Sequence, residues 1–207
     1  CMSNTGQSCN APTRMLVPSN RHDEALEIAK SAVSGMTTGD PKLQSTEIGP
    51  LVSETQFNKV QELLKSGLES GATLVTGGVG KPEGLEKGYF VKPTIFGNVS
   101  NDMEIAQEEI FGPVLGVLTI NSTEEALKVA SNSKYGLHAS VFTQDIDKAF
   151  HLAKSLPCGT VSVNTFSEGD IKTPFGGYKR SGSLSRDQGT EALNQYLQTK
   201  TIWISHS

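Results

Sequence analysis

Residues 116–164 read GVLTINSTEEALKVASNSKYGLHASVFTQDIDKAFHLAKSLPCGTVSVN, and the hydrophobic period changes four times along them. Gly116–Ile120 is a short strand-like run. Ser122, with Glu125 three residues on, has the spacing of a capping box and opens a helix to about Ser131. His138–Thr143 reads as a strand. Asp145 then caps a second helix that would turn Ile146, Ala149, Phe150, Ala153 and Leu156 inward, and Thr160–Asn164 is a strand again. Strands joined by crossovers of helix length pair side by side in one direction, with the helices lying on the sheet. The stretch therefore predicts an α/β fold with a largely parallel, covered sheet.

The same alternation extends outward. Arg14–Pro18 predicts a strand, and His22–Ser34 carries apolar residues at 25, 26, 28, 29, 32 and 33, the stripe of an amphipathic helix. Ser53 and Gln56 form a second capping-box pattern, ahead of a helix with Phe57, Val60, Leu64 and Leu68 on one face. Thr73–Thr76 and Tyr89–Val99 read as strands around a Gly/Pro-rich loop from Gly77 to Gly88. Downstream, Asp187–Leu197 predicts a helix and Lys200–Ser205 a terminal strand. There is no internal repeat, and one α/β domain with a C-terminal tail accounts for the chain.

Composition sets limits on function. Of 207 residues, 36% are apolar, and glycine brings that to about 46%, the range of ordinary globular chains. Eighteen basic residues against 22 acidic ones give a formal charge of −4 with neither sign segregated, so nothing draws the surface to nucleic acid or an anionic membrane. No run approaches the ~20 apolar residues that span a bilayer. Cys1, Cys9 and Cys158 are odd in number and widely spaced, which is neither a disulfide framework nor a zinc pattern. A reducing compartment, the cytoplasm, is the expectation. The chain opens inside a polar, turn-like stretch and reads as a piece of something longer.

Three features invite chemistry. The loop Thr76–Pro82 (TGGVGKP) resembles a phosphate cradle but has Val75 where a P-loop needs its first glycine and Pro82 where it needs Ser or Thr. No G-x-G-x-x-G follows a predicted strand, so the dinucleotide fingerprint is absent. Of the four histidines only His138 opens a strand, and spacing pairs none of them with a cysteine. The segment Asn4-Thr5-Gly6-Gln7-Ser8-Cys9 is sharper: small polar flanks and a glycine permit an exposed, activated thiol. A buried, inert cysteine in a polar turn fits the same residues equally well.

The whole chain resembles the NAD(P)-dependent aldehyde dehydrogenase superfamily. Asn4-x-Gly6-Gln7-x-Cys9, with Arg14 five residues on, is similar to its active-cysteine motif; Glu108-Glu109-Ile110-Phe111-Gly112-Pro113 matches E-E-I-F-G-P; Pro174–Gly182 matches P-F-G-G-x-K-x-S-G. Gly49-Pro50-Leu51, Tyr135-Gly136-Leu137 and Gly159-Thr160-Val161-x-Val163-Asn164 stand in the family's order.

The resemblance implies that Cys9 is the nucleophile, forming a thiohemiacetal and then a thioester with an aldehyde while NAD or NADP takes the hydride. It implies cofactor binding by Glu109 (ribose hydroxyls) and Phe111 (nicotinamide ring), a substrate pocket with Asn164 and Phe175, and no metal. It further implies a catalytic domain over 1–182, a helix and oligomerisation strand over 183–207, and a homo-oligomer, dimer or tetramer. The cofactor-binding half, the hydrolytic glutamate and an oxyanion-hole asparagine would lie upstream, so an N-terminal half is an expected partner. Two departures stand out: Ser183–Asp187 (SLSRD) replaces a glycine-rich turn, and Gln198 takes the place of a glutamate that would pair with Arg186. Ser167–Thr173 and Thr201–Ile204 look most like members acting on aminoaldehydes. The other reading is a non-catalytic assembly module that keeps the fold without cofactor domain or base.

Overall fold

The structure, a computed structural model, describes residues 1–166 and 169–206. The chain packs as two compact units, Cys1–Ser133 and Lys134–Ser207.

The first unit is built on a four-stranded sheet. Its strands are β1 (Arg14–Pro18), β2 (Thr73–Thr76), β3 (Thr94–Gly97) and β4 (Val114–Ile120), in the order β1-β4-β3-β2. β4 pairs in parallel with both β1 and β3, while β2 runs antiparallel along the edge. Four helices accompany it: α1 (His22–Ser34), α2 (Glu54–Glu69), the single turn α3 (Glu104–Gln107) and α4 (Thr123–Ser131).

Strand side chains alternate between faces, and here the alternation divides the core in two. Leu16, Phe96, Val114 and Leu118 point into a cluster with Val60, Leu63 and Leu64 of α2, Ile105 of α3 and Val129 of α4. Met15, Val17, Val75, Ile95, Leu115 and Val117 point the other way, onto Leu26, Ala29 and Val33 of α1. Both faces are thus covered. Ile28, counted in the expected α1 stripe, faces outward and is 61% exposed, because only the 26/29/33 side of the helix meets the sheet.

The expected strand over 89–99 shortens to Thr94–Gly97. Gly88 turns at φ 87°, the Tyr89 carbonyl is taken by the Leu51 amide, and Pro93 has no N–H for a ladder. Two helix starts keep the serine half of the expected capping box: Ser53 Oγ accepts from the Gln56 amide and Ser122 Oγ from the Glu125 amide, while the Gln56 and Glu125 side chains bond elsewhere.

The second unit holds β5 (Tyr135–Gly136), β6 (His138–Val141), α5 (Ile146–Ser155), β7 (Thr160–Val163) and β8 (Tyr178–Lys179). β6 and β7 pair in parallel, and β5 and β8 antiparallel. The Asp145 side chain caps α5 by accepting from the Asp147 and Lys148 amides. The expected inward face of α5 needs correction. Ala149 and Leu156 are buried, whereas Ile146 and Phe150 are 64% and 59% exposed, since the helix rests on β6 and β7 through its Ala149 side.

Two C-terminal expectations also change. Asp187–Leu197 is no α-helix but a 3-10 turn over Thr190–Tyr196, because Gln188 and Gly189 sit at φ 61° and 58°, outside helical space. Lys200–Ser205 forms no strand: a strand needs a ladder partner, none pairs with it among the described residues, and Trp203 is left 90% exposed.

Candidate active site

Cys9 sits in an exposed turn directly after a left-handed one. Asn4, Thr5 and Gly6 take φ values of 51°, 59° and 70° in succession, reversing the chain within three residues. For the two non-glycine residues this backbone is uphill by about 1–2 kcal/mol each and has to be held from outside. Several hydrogen bonds hold it. Asn4 Nδ2 donates to the Gln7 carbonyl at 3.0 Å, and the Thr5 hydroxyl to the Gly49 carbonyl at 3.2 Å. Gln7 Oε1 accepts from the Val52 amide at 2.9 Å, while its Nε2 reaches the Pro50 carbonyl at 3.4 Å. The Gly49–Leu51 motif is thereby the strap across the cysteine turn.

Gly6 supplies the closest approach. A Cβ built there would overlap the Gly112 carbonyl and stand 2.8 Å from the Pro113 nitrogen. The cysteine motif and the Glu108–Pro113 motif, about a hundred residues apart, therefore meet backbone to backbone. The thiol of Cys9 is exposed and without hydrogen-bond or ionic partner among the described residues, which removes the buried-cysteine alternative. Its backbone N–H is likewise uncommitted among them, a donor available for an oxyanion forming at the thiol.

Glu109 and Phe111 lie on the turn that Gly6 touches. Glu109 is exposed, and its backbone carbonyl accepts from Lys59 Nζ at 2.5 Å. Phe111 is half-buried at φ 56°. Gln56 Nε2 donates to the Ile110 and Phe111 carbonyls at 2.8 and 2.9 Å, and two such bonds, each worth about 1 kcal/mol net, offset that conformation. Gln56 and Lys59 were invisible as site residues in the sequence. Gln56 reads there as a capping-box partner and Lys59 carries no reading, and no local signal links either to a turn 50 residues downstream.

Arg14, part of the cysteine motif, is engaged at a helix end. Its guanidinium donates to the Val129 and Ala130 carbonyls in the last turn of α4, at 3.2 and 3.1 Å, and to Asn101. Carbonyls in the last turn of a helix lack the helical amide four residues on, so Arg14 is a clamp on a helix end.

Asn164 and Phe175 belong to the second unit. Asn164, exposed at φ 56°, bonds the Thr143 amide and carbonyl with its side-chain amide, both at 2.9 Å. Phe175 is half-buried and shares a two-way backbone bridge with Asp187. The loop carrying it packs on Gly159, where a Cβ would overlap the Gly176 carbonyl, and the Ser181 hydroxyl accepts from the Gly136 amide. Arg186 donates to the Ser183 and Ser185 carbonyls and stacks over Tyr178 at 5.3 Å, so its charge is used without Gln198.

His22 is occupied structurally: it is buried and its Nε2 accepts from the Asn98 amide. His138 Nε2 lies 3.2 Å from the Ser162 hydroxyl, its ring edge-on to Phe166. No metal-binding group exists among the described residues, and none of their helices is long and apolar enough to cross a membrane.

Comparison with known proteins completes the picture. The model of the aldehyde dehydrogenase family matches residues 1–202. A curated Staphylococcus saprophyticus relative whose name places it among the aldehyde dehydrogenases is 46% identical over 96% of this chain and 42% of its own length. The crystal structure of an aldehyde dehydrogenase C variant from Pseudomonas syringae, in complex with NAD+ and octanal, superposes with a TM-score of 0.92 at 42% identity, over 96% of this chain and 41% of that one. An NAD+ complex of a Bacillus cereus aldehyde dehydrogenase gives 0.92 at 41% identity, over 100% and 41%. The chain spans about 42% of the length of the curated relatives it matches. The family model over residues 1–202, and this agreement with relatives along nearly the whole sequence, establish that the chain belongs to the aldehyde dehydrogenase family.

Proposed function

We propose that this chain carries the nucleophile and part of the cofactor site of an enzyme that oxidises an aldehyde to a carboxylic acid with NAD+. The observation that carries the reading is the seat of Gly6 on Gly112, which ties the exposed Cys9 turn to the Glu109–Phe111 turn.

The thiolate of Cys9 attacks the carbonyl carbon, and the Cys9 amide N–H steadies the oxyanion of the thiohemiacetal. NAD+ supplies the hydride acceptor. The thioester left on Cys9 is hydrolysed to release the acid. The residues of the Glu109 turn fit the cofactor by their chemistry: an exposed carboxylate offers two acceptor oxygens to a vicinal diol, and a half-buried ring on a held backbone offers a face beside a planar heterocycle. NAD+ is favoured over NADP because similar enzymes were crystallised with it.

The base and the rest of the cofactor site belong, in this reading, to an N-terminal half. Residues 1–182 are its catalytic complement, and 183–207 pair with a second copy in a cytoplasmic homo-oligomer. The exposed apolar run Ile202–Ile204, with Trp203 at its centre, supports that pairing. Asn164 and Phe175 line the substrate pocket. An aminoaldehyde is the proposed substrate class; of the residues behind that assignment, Ser167 and Glu168 lie outside the described residues. The test is Cys9→Ala in the enzyme with its N-terminal half. Loss of aldehyde-dependent NAD+ reduction is expected, and unchanged turnover would overturn the mechanism.

A further inference from the structure

We infer that Gln56 is a positioning residue for the cofactor turn. Its side-chain amide fixes the Ile110–Phe111 backbone and, through it, the directions in which the Glu109 carboxylate and the Phe111 ring are presented. The inference rests on the functional reading above and adds to it a residue on a separate element.

The geometry matches donors to acceptors one for one. A glutamine NH2 has two hydrogens, and Gln56 Nε2 meets two carbonyls, Ile110 at 2.8 Å and Phe111 at 2.9 Å. A capping box would have sent this side chain back to the Ser53 amide; here it bridges 54 and 55 residues instead. The base of the lever is rigid. The Gln56 amide is held by Ser53 Oγ at 3.2 Å, so the first turn of α2 cannot drift. One turn later, on the same helix, Val60 is fully buried and Gly112 fits against it with no room for a Cβ. Lys59 adds the Glu109 carbonyl. Three consecutive carbonyls, Glu109 to Phe111, are thus taken by side chains of one helix turn, and Phe111 keeps a left-handed backbone that an unrestrained chain would leave.

Only a donor performs this task, which makes the role testable by near-isosteric change. In the enzyme with its N-terminal half, Gln56→Glu places an acceptor against two acceptors at neutral pH. The KM for NAD+ is expected to rise about tenfold or more with kcat changed less than about threefold. The defect should shrink in part as pH falls toward the carboxylate range, because a protonated carboxyl regains one of the two donors, while the Lys59 ammonium on the same helix turn opposes protonation. Gln56→Met removes the donors without charge and should show the same rise with no recovery in acid. Amide hydrogen exchange over 109–114 should quicken in both variants. A KM for NAD+ within about twofold of the parent, together with unchanged exchange, overturns the inference. Should the parent itself fail to reduce NAD+ with any aldehyde, the functional reading falls, and the exchange data alone decide whether Gln56 holds the turn.

Discussion

Gly6 rests on the carbonyl of Gly112, leaving no volume for a side chain between the cysteine turn and the turn bearing Glu109 and Phe111. Two consequences follow for Gly6→Ala. The methyl group would collide with backbone rather than with a movable side chain, and φ 70° is a conformation alanine resists by about 1–2 kcal/mol. The variant should lose at least about 2 kcal/mol in urea denaturation and displace Cys9 along with it. A variant with parental stability would show that the two turns are not in contact.

Cys9 should be the fastest thiol to alkylate. It is exposed, whereas Cys1 and Cys158 are half-buried and Cys1 Sγ points at the Val114 carbonyl at 3.3 Å. Brief iodoacetamide treatment followed by peptide mapping should label Cys9 first; in the enzyme with its N-terminal half, the proposed aldehyde-dependent NAD+ reduction should fall in step. Equal labelling of all three would leave Cys9 an ordinary surface thiol.

The sheet depends on its central strands. Phe96 of β3 is fully buried among residues of α2, α3 and β4. Phe96→Ala should cost about 3–5 kcal/mol, enough to unfold much of a marginally stable domain. Ile28→Ala on the outward side of α1 should cost little, about 0.5 kcal/mol or less, since that side chain is 61% exposed. Comparing the two by thermal denaturation tests the assignment of faces.

What the sequence disclosed was local, and what it hid was long-range. Ser53, Ser122 and Asp145 were legible as caps because a side chain bonding an amide two or three residues on is written within four letters. Gln56 was not, since its partners are more than 50 residues away. Periodicity marked an apolar side on α5, yet it could not tell that Ala149 would meet the strands while Ile146 and Phe150 stayed exposed. The alternation over 200–205 recorded a capacity to pair, but a strand also needs a partner, and no ladder forms there among the described residues. The motifs named Cys9, Glu109 and Phe111; the contacts by which Gly6, Gln7 and Gln56 lock their turns join distant parts of the chain and leave no local pattern.

Arg14 belongs to the cysteine motif by sequence and to the end of α4 by its contacts. Its guanidinium spans Asn101 and two carbonyls at the end of α4. Arg14→Met keeps the aliphatic stem and takes the charged donor away from those carbonyls, which should cost about 1–3 kcal/mol. The alkylation rate of Cys9 should stay near the parental value, because the guanidinium is spent on the helix end and Cys9 has no side-chain partner among the described residues. A large change in thiol reactivity with stability preserved would instead give Arg14 a part in activating Cys9.

Asp145 gives the second unit an acid-sensitive helix start. The Lys148 amide, above all, holds its carboxyl below the usual aspartate range, with the Lys148 charge and the Asp147 amide adding to the effect. A carboxylate with a lowered folded pKa stabilises the fold above its unfolded pKa, near 3.9, and that contribution disappears as pH falls through the folded value. An asparagine at this position would cap the same amides without titrating. Asp145→Asn should therefore resemble the parent in acid and flatten the dependence of unfolding on pH below about 4, read from urea midpoints between about pH 6 and pH 2.5. The carboxylate lies at the surface, so the difference should be modest and weaken further in high salt. An identical pH profile for the two proteins would mean that the Asp145 carboxylate contributes no more in the folded chain than in the unfolded one.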